Sequence, residues 1–181
     1  MSDTYKTLGQ KIVARGRAFN VRNDTIRLPN GEVTEFNIVD HADSVTVVPL
    51  DADGGLWFVR QYRVPVAQSL LELPAGVLEP GEDAATGAQR ELREEIGMAA
   101  ARLIPLSSFY LAAGYCTEYM TIFLARDLTP APLPQDADEF LTLEKYTLAQ
   151  ALQKMATGEL PDAKTQLALL LTAQYLSEQS G

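Results

Sequence analysis

The chain has one cysteine and one histidine in 181 residues. A lone Cys116 excludes an internal disulfide and fits a reducing compartment. A lone His41 cannot build a histidine metal site, which argues against zinc. There is no cluster of Lys and Arg, and the net charge is −9. A nucleic-acid backbone is therefore a poor partner, since such binders carry basic patches. No apolar run approaches the ~20 residues of a membrane-spanning helix. The start, Met1-Ser2-Asp3-Thr4-Tyr5-Lys6, is polar and has no signal-peptide apolar core. The expectation is a cytoplasmic protein that uses neither membrane nor nucleic acid. The hydrophobic fraction of 46% is that of an ordinary globular chain, long enough for one domain with a true core.

Acid is abundant, and it is concentrated. Glu82, Glu91, Glu94 and Glu95 fall within one short segment whose pattern is helical. Glu91 and Glu95 are four residues apart and so share a helix face, where like charges destabilise a bare helix. A solvated acidic face is the plain explanation. A bound cation is the sharper one, because hard carboxylate oxygens a few Å apart suit Mg²⁺ or Mn²⁺, ions that also take phosphate oxygens. Metal-assisted cleavage of a phosphate ester or anhydride is the chemistry this pattern suggests.

The punctuation around the acids predicts the elements. Residues 9 to 40 look like short strands, with Phe19–Arg22 and Thr25–Leu28 alternating in polarity and Pro29-Asn30-Gly31 as a hairpin turn before Val33–Val39. A second hairpin is expected from Ser44–Leu50, the Asp51-Ala52-Asp53-Gly54-Gly55 turn and Leu56–Tyr62. Leu70–Leu73 reads as a short strand stopped by Pro74, followed by a Pro74-Ala75-Gly76 loop. A helix begins at Gly81-Glu82-Asp83, whose acids suit the positive end of the dipole, and ends at Gly97. Gly87, inside it, costs about 1 kcal/mol against Ala and signals close packing. Strands follow near 102–110, 119–125 and 140–146, and the Pro-rich, acidic stretch 130–139 is a loop. Leu148, Ala151, Leu152 and Met155 recur at helical spacing. Residues 163–177 are helical, with Leu167–Leu171 as core or subunit interface. Strands around one acidic helix, with helices at the C-terminal end, make an α+β chain.

The acidic segment also resembles a known motif. Gly76, Glu82, Arg90, Glu91, Leu92, Glu94, Glu95, Gly97 and Met98 fill every fixed position of the Nudix box: Gly, five residues, Glu, seven residues, Arg-Glu-aliphatic-x-Glu-Glu-x-Gly-aliphatic. The resemblance implies the Nudix α/β/α sandwich around a mixed sheet and a Mg²⁺ (or Mn²⁺) cofactor. It also implies metal ligation by Glu91, Glu95 and Glu94, with a backbone carbonyl from Ala75. Arg90 and Glu94 are expected in the catalytic centre, with Arg90 pairing to Glu82 or Glu94 and holding the loop and helix together.

Outside the box, Val59-Arg60-Gln61-Tyr62-Arg63 and Leu71-Glu72-Leu73-Pro74-Ala75-Gly76 look like the ADP-ribose pyrophosphatase branch of that family. The branch implies hydrolysis of a nucleoside diphosphate sugar, ADP-ribose to AMP and ribose 5-phosphate, with GDP-mannose or another nucleotide sugar as the alternative. A nucleoside triphosphate sanitiser and a non-catalytic nucleotide-sugar sensor fit less well. Arg63 is expected at the diphosphate or ribose, since a guanidinium fork matches phosphate oxygens. Arg60, Glu72 and Glu118 are further substrate-binding expectations, although Glu72 could simply pair with Arg63. Residues 15–50 match the branch's N-terminal strand module, which pairs with a second subunit and lends residues to its neighbour's pocket. The division expected is a module over 1–43 and a catalytic domain over 44–181, as a homodimer. In this branch the general base often lies on a downstream loop, and Glu139 is the candidate, ahead of Asp138 and Glu118. One departure stands out. The loop Leu111-Ala112-Ala113-Gly114-Tyr115-Cys116-Thr117-Glu118 has Ala113 where the branch often has proline, which loosens the link to ADP-ribose. Phe19 and Tyr115 could stack a base or simply pack.

Overall fold

The computed structural model describes residues 4–135 and 140–179. It divides into two compact units. One holds the N-terminal residues through Asp43 together with Tyr110–Tyr119; the other holds Ser44–Phe109 and the chain from Met120 onward.

The first unit is a three-stranded antiparallel sheet in the order β1-β2-β3, formed by β1 (Lys6–Arg15), β2 (Phe19–Arg27) and β3 (Val33–His41). The two short strands expected over residues 19–28 are one continuous strand. Turn-prone Asn23 and Asp24 do not break it, and their side chains bond other side chains of the sheet: Asp24 accepts from Arg22 Nε at 3.0 Å and Gln10 Nε2 at 2.9 Å, and Asn23 Nδ2 donates to Glu35. The expected turn is present, with Gly31 at φ +92° and its N–H on Leu28 O. The segment 110–119 joins this unit through Val39, which donates to Tyr115 O at 2.8 Å and accepts from Thr117 N at 3.0 Å.

The second unit is built on two sheets. Strands β4 (Ser44–Pro49), β7 (Ala75–Val77), β8 (Met98–Tyr110) and β9 (Tyr119–Pro130) form a mixed sheet in the order β7-β4-β9-β8, with β4 parallel to β9 and antiparallel to β7. Strands β5 (Gly55–Arg63), β6 (Gln68–Glu72) and β10 (Thr142–Thr147) form an antiparallel sheet in the order β10-β5-β6. Three helices cover them: α1 (Ala84–Glu95), α2 (Leu148–Ala156) and α3 (Ala163–Gln179).

The expected hairpin of β4 and β5 is only a turn. Asp51 N bonds Gly55 O at 2.8 Å and a Leu50–Leu56 bridge follows, but the two strands then enter different sheets. Alternation of an antiparallel ladder makes residues 49 and 57 the next hydrogen-bonded pair. Position 49 is proline and has no N–H to give. Ala75 and Gly76, expected with Pro74 as a loop, instead belong to β7, and Pro74 needs no N–H of its own to lead into it: its carbonyl accepts Val47 N at 2.9 Å and Thr46 Oγ1 at 3.1 Å.

Every residue of β4 is buried, as a strand covered on both faces must be. Side-chain alternation sends Val45 and Val47, with Phe123 and Ala125 of β9, to a core shared with Ala88, Leu92 and Ile96 of the α1 segment. Val48, Ile122 and Leu124 point the other way, to Ala151 of α2 and Ala168 and Leu169 of α3. The second unit is therefore an α/β/α sandwich. Of the run Leu167–Leu171, Ala168 and Leu169 are core and Leu170 is exposed. No helix of the described residues is long and apolar enough to cross a membrane, which leaves strand-built membrane barrels unaddressed.

Candidate active site

Helix α1 begins where Asp83 caps it. The Asp83 carboxylate accepts Ala85 N and Thr86 N, both at 3.0 Å, and Thr86 Oγ1 at 2.6 Å. These bonds satisfy N–H groups that a helix start leaves orphaned, and hold the carboxyl of Asp83 below the usual range. The helix closes through Gly97 at φ +70°, a backbone geometry that favours glycine. Gly87 allows the close packing its position suggests: a Cβ there would stand 2.3 Å from Leu78 Cδ2.

One face of α1 lies against β4 and β7, and that face carries the acids. Glu91 and Glu95 are 7% and 3% exposed, unusual for carboxylates, which are almost never buried without a partner. Glu95 Oε2 accepts the N–H of Ala75 at 3.2 Å. Glu91 lies against Gly76 so closely that a Cβ at that position would sit 1.9 Å from Oε1. The glycine is therefore a cradle for a carboxylate. Arg90 ties the group together. Its Nε and Nη2 each reach Glu82 at 3.0 Å, and Nη1 reaches Glu91 at 2.6 Å and Glu94 at 3.0 Å. Nη2 also donates to Val77 O at 3.0 Å. The hydrogen bonds that Arg90 donates to Glu82 chiefly raise its pKa, burial opposes them, and Glu91 adds to the rise. The same pairing holds Glu82 below the usual glutamate range.

The structure thus brings Glu91, Glu95, Glu94, Arg90 and the backbone of Ala75 into one place. All of its side-chain and backbone acceptors are hard oxygens, the donor class of Mg²⁺ and Mn²⁺ rather than of zinc or copper. Among the described residues no three His, Cys, Asp or Glu side chains stand at metal-holding spacing. A backbone carbonyl, phosphate oxygens or water would have to complete a shell, and Mg²⁺ commonly keeps such ligands.

A second charged group stands on the neighbouring sheet. Arg63 Nε and Nη2 make a two-point fork on the carboxylate of Glu72, both at 2.7 Å. Glu72 is 1% exposed, the Arg63 side chain 38%. Burial pushes the Glu72 pKa up, but Arg63 and Lys164 outweigh it and hold the carboxyl below its usual range. The hydrogen bonds that Arg63 donates to Glu72 raise its pKa, burial opposes this, and the charges of Glu72, Glu95 and Asp162 add to the rise. Strand parity separates the two arginines: Arg60 and Arg63, three apart on β5, point to opposite faces. Arg60 is taken by Glu144, which also accepts from the Tyr146 hydroxyl. Glu118 belongs to the first unit, where it lies 3.9 Å from His41 Nδ1. There Phe19 and His41 have ring centroids 6.4 Å apart. Glu139 and Asp138 lie outside the described residues.

Sequence inspection overlooked Lys164 and Asp162. Lys164 Nζ donates to Glu72 and, at 2.9 Å, to Asp162. The signal available was Asp162-Ala163-Lys164-Thr165, an acid three residues before a threonine at a helix start.

The chain is similar to known proteins over most of its length. The chain is 34% identical to an ADP-ribose pyrophosphatase of Bacillus subtilis, over 94% of this chain and 91% of that one. It is 35% identical to a methanol dehydrogenase activator of Bacillus methanolicus, over 96% and 93%. A crystal structure described as an ADP compounds hydrolase superposes with a TM-score of 0.87 at 29% identity, covering 97% of this chain and 95% of that chain. Residues 40–167, which contain the cradled glutamates and the Arg63–Glu72 fork, match the model of the NUDIX domain. On this domain match, the near full-length relatives and the shared fold, the chain belongs to the Nudix hydrolase family.

Proposed function

We propose that this Nudix hydrolase cleaves the diphosphate of a nucleoside diphosphate sugar, with ADP-ribose as substrate and AMP and ribose 5-phosphate as products. The observation that carries the proposal is the buried Glu91–Glu95 pair seated against Gly76 and Ala75 within a complete box. The names of the pyrophosphatase and ADP-compound hydrolase relatives support the substrate class. Glu91, Glu95, Glu94 and the Ala75 carbonyl would hold Mg²⁺ or Mn²⁺. Such an ion neutralises diphosphate charge and makes water more acidic.

The chain's own residues supply the rest. Arg90 fixes Glu82, Glu91 and Glu94 relative to the end of β7 at Val77. Arg63 retains N–H groups beyond the two on Glu72, and a guanidinium edge binds phosphate oxygens in pairs. Glu139 is proposed to take the proton of the attacking water.

The test is a panel of ADP-ribose, GDP-mannose, other nucleotide sugars and nucleoside triphosphates, with products identified and with a chelator control. AMP and ribose 5-phosphate from ADP-ribose, abolished by chelator, is the expected result. Faster release of pyrophosphate from a triphosphate would overturn it, and preference for GDP-mannose would keep the class and change the sugar.

We also propose that the N-terminal module through Asp43 mediates a homodimer. Its strands expose Leu8, Ile12, Val13, Val33 and Phe36. Apolar side chains gathered on one small sheet suit a protein interface. Light scattering should give about twice the 19.8 kDa chain mass; an active monomer would rule the dimer out.

A further inference from the structure

A carboxylate as deeply buried as Glu72 is held by two cations where one would balance it. The Arg63 fork already occupies both oxygens, yet Lys164 reaches across from the first turn of α3 to Oε2 as well. Lys164 is itself fixed. Its Nζ also bonds Asp162 at 2.9 Å, and Asp162 accepts Thr165 N at 3.0 Å. Thr165 Oγ1 accepts Leu73 N at 2.9 Å, so consecutive residues of the helix start grip consecutive residues of the strand end. The four charges Arg63, Glu72, Lys164 and Asp162 sum to zero. Their burial differs sharply, with side-chain exposures of 38% for Arg63, 12% for Lys164 and 1% for Glu72.

This arrangement has a mechanical meaning. Of the five N–H groups of a guanidinium, the fork uses two and three remain for other acceptors. Lys164 keeps Glu72 in place, so that the carboxylate does not move with Arg63 when an incoming anion meets the arginine. A carboxylate held from behind is a fixed stop that sets the angle at which the free edge of Arg63 stands.

We propose that Lys164 is a positioning residue that, by locking Glu72, aims the free guanidinium edge of Arg63 at the substrate diphosphate. The functional half of this proposal rests on the diphosphate hydrolysis proposed above; the positional half does not.

The experiment therefore has two arms on the full-length protein. The first needs no substrate. In ¹H–¹⁵N spectra the Nε–H signal of Arg63, assigned by its loss in Arg63→Lys, should be sharp and slow to exchange in the wild type. It should broaden or vanish in Lys164→Met and return in Lys164→Arg. The second arm is steady-state kinetics on whichever nucleoside diphosphate sugar the panel selects. Lys164→Met should raise KM about tenfold, as expected for loss of one hydrogen bond to a charged group, with little change in kcat. Lys164→Arg should recover most of the loss. Thermal melts confirm that each variant is folded at the assay temperature. Should Lys164→Met fail to fold, Lys164→Gln, which offers a neutral donor, is read the same way. An unchanged Arg63 signal in the folded variant overturns the proposal. So does a fall in kcat with KM untouched. If the wild type cleaves no nucleotide sugar, the functional proposal fails, and the spectral arm still decides whether Lys164 orders Arg63.

Discussion

The carboxylate of Glu91 occupies the space that a side chain at Gly76 would fill, with Oε1 1.9 Å, Cδ 2.1 Å and Oε2 2.5 Å from where a Cβ would stand. The backbone at Gly76 is not in the left-handed region, so what opposes alanine there is the Glu91 carboxylate, the movable end of a side chain. Gly76→Ala should leave thermal stability nearly unchanged, because reduced freedom of the unfolded chain offsets part of the local adjustment. Turnover should fall about 100-fold, the usual penalty for displacing a reacting constellation by ~1 Å. Parallel calorimetry and kinetics test this; a variant that melts like the wild type and turns over like it would show that the cradle has no role in activity.

Glu95 accepts the Ala75 N–H, and a glutamine in its place can still accept it through its amide oxygen. Glu95→Gln should therefore fold normally while losing the charge a divalent ion requires. The fall in turnover should exceed the ~10–100-fold that accompanies loss of a group merely supporting a metal ligand. Near-normal rates at low Mg²⁺ would remove Glu95 from the ligand set. Soaking Mn²⁺ into crystals gives an independent check, since the ion must sit against both Glu91 and Glu95.

Much of this was legible beforehand because the box is local. Its acids and its arginine lie on one helix and the turn before it, where spacing alone sets which groups meet. The two-faced burial of β4 was not anticipated, because residues 44–50 were expected as one strand of a hairpin. What escaped depended on partners distant in sequence. Ala75–Val77 becomes a strand only because β4 offers an edge to pair with. The β4–β5 ladder ends early because of Pro49, a residue whose consequence appears only once the hydrogen-bonded pairs are counted. Lys164 is 92 residues from Glu72 and its role is invisible without the fold.

Glu72 gives a pH signature with a definite sign. Burial pushes its pKa up, the bonds from Arg63 and Lys164 outweigh burial, and the net folded value lies below the unfolded one. A depressed carboxylate contributes stability above its unfolded pKa, about 4.3 for glutamate, and that contribution is lost as pH falls through the folded value. Wild type should exceed Glu72→Gln in denaturation midpoint at neutral pH, and the gap should close below pH ~4.3. A gap that stays constant from pH 7 to 3 would mean that Glu72 is not held as an anion by its two cations.

The proton acceptor is the last assignment to test. Glu91 and Glu94 have carboxylate oxygens engaged by Arg90, and lone pairs used there, or on a divalent ion, are not available to a proton. The sequence offers Asp136-Ala137-Asp138-Glu139 just before Phe140, ahead of β10 in the chain. A general base contributes ~10²–10⁴-fold, so Glu139→Gln should lose that much in kcat with little change in substrate affinity. The loss should shrink as pH rises, because hydroxide does not need a base to form the nucleophile. Rates across pH 6–10 for wild type and variant separate this from a structural defect, which would depress the whole profile equally. A loss under about threefold at neutral pH lies well below the range of general-base catalysis and would exclude Glu139 from the role.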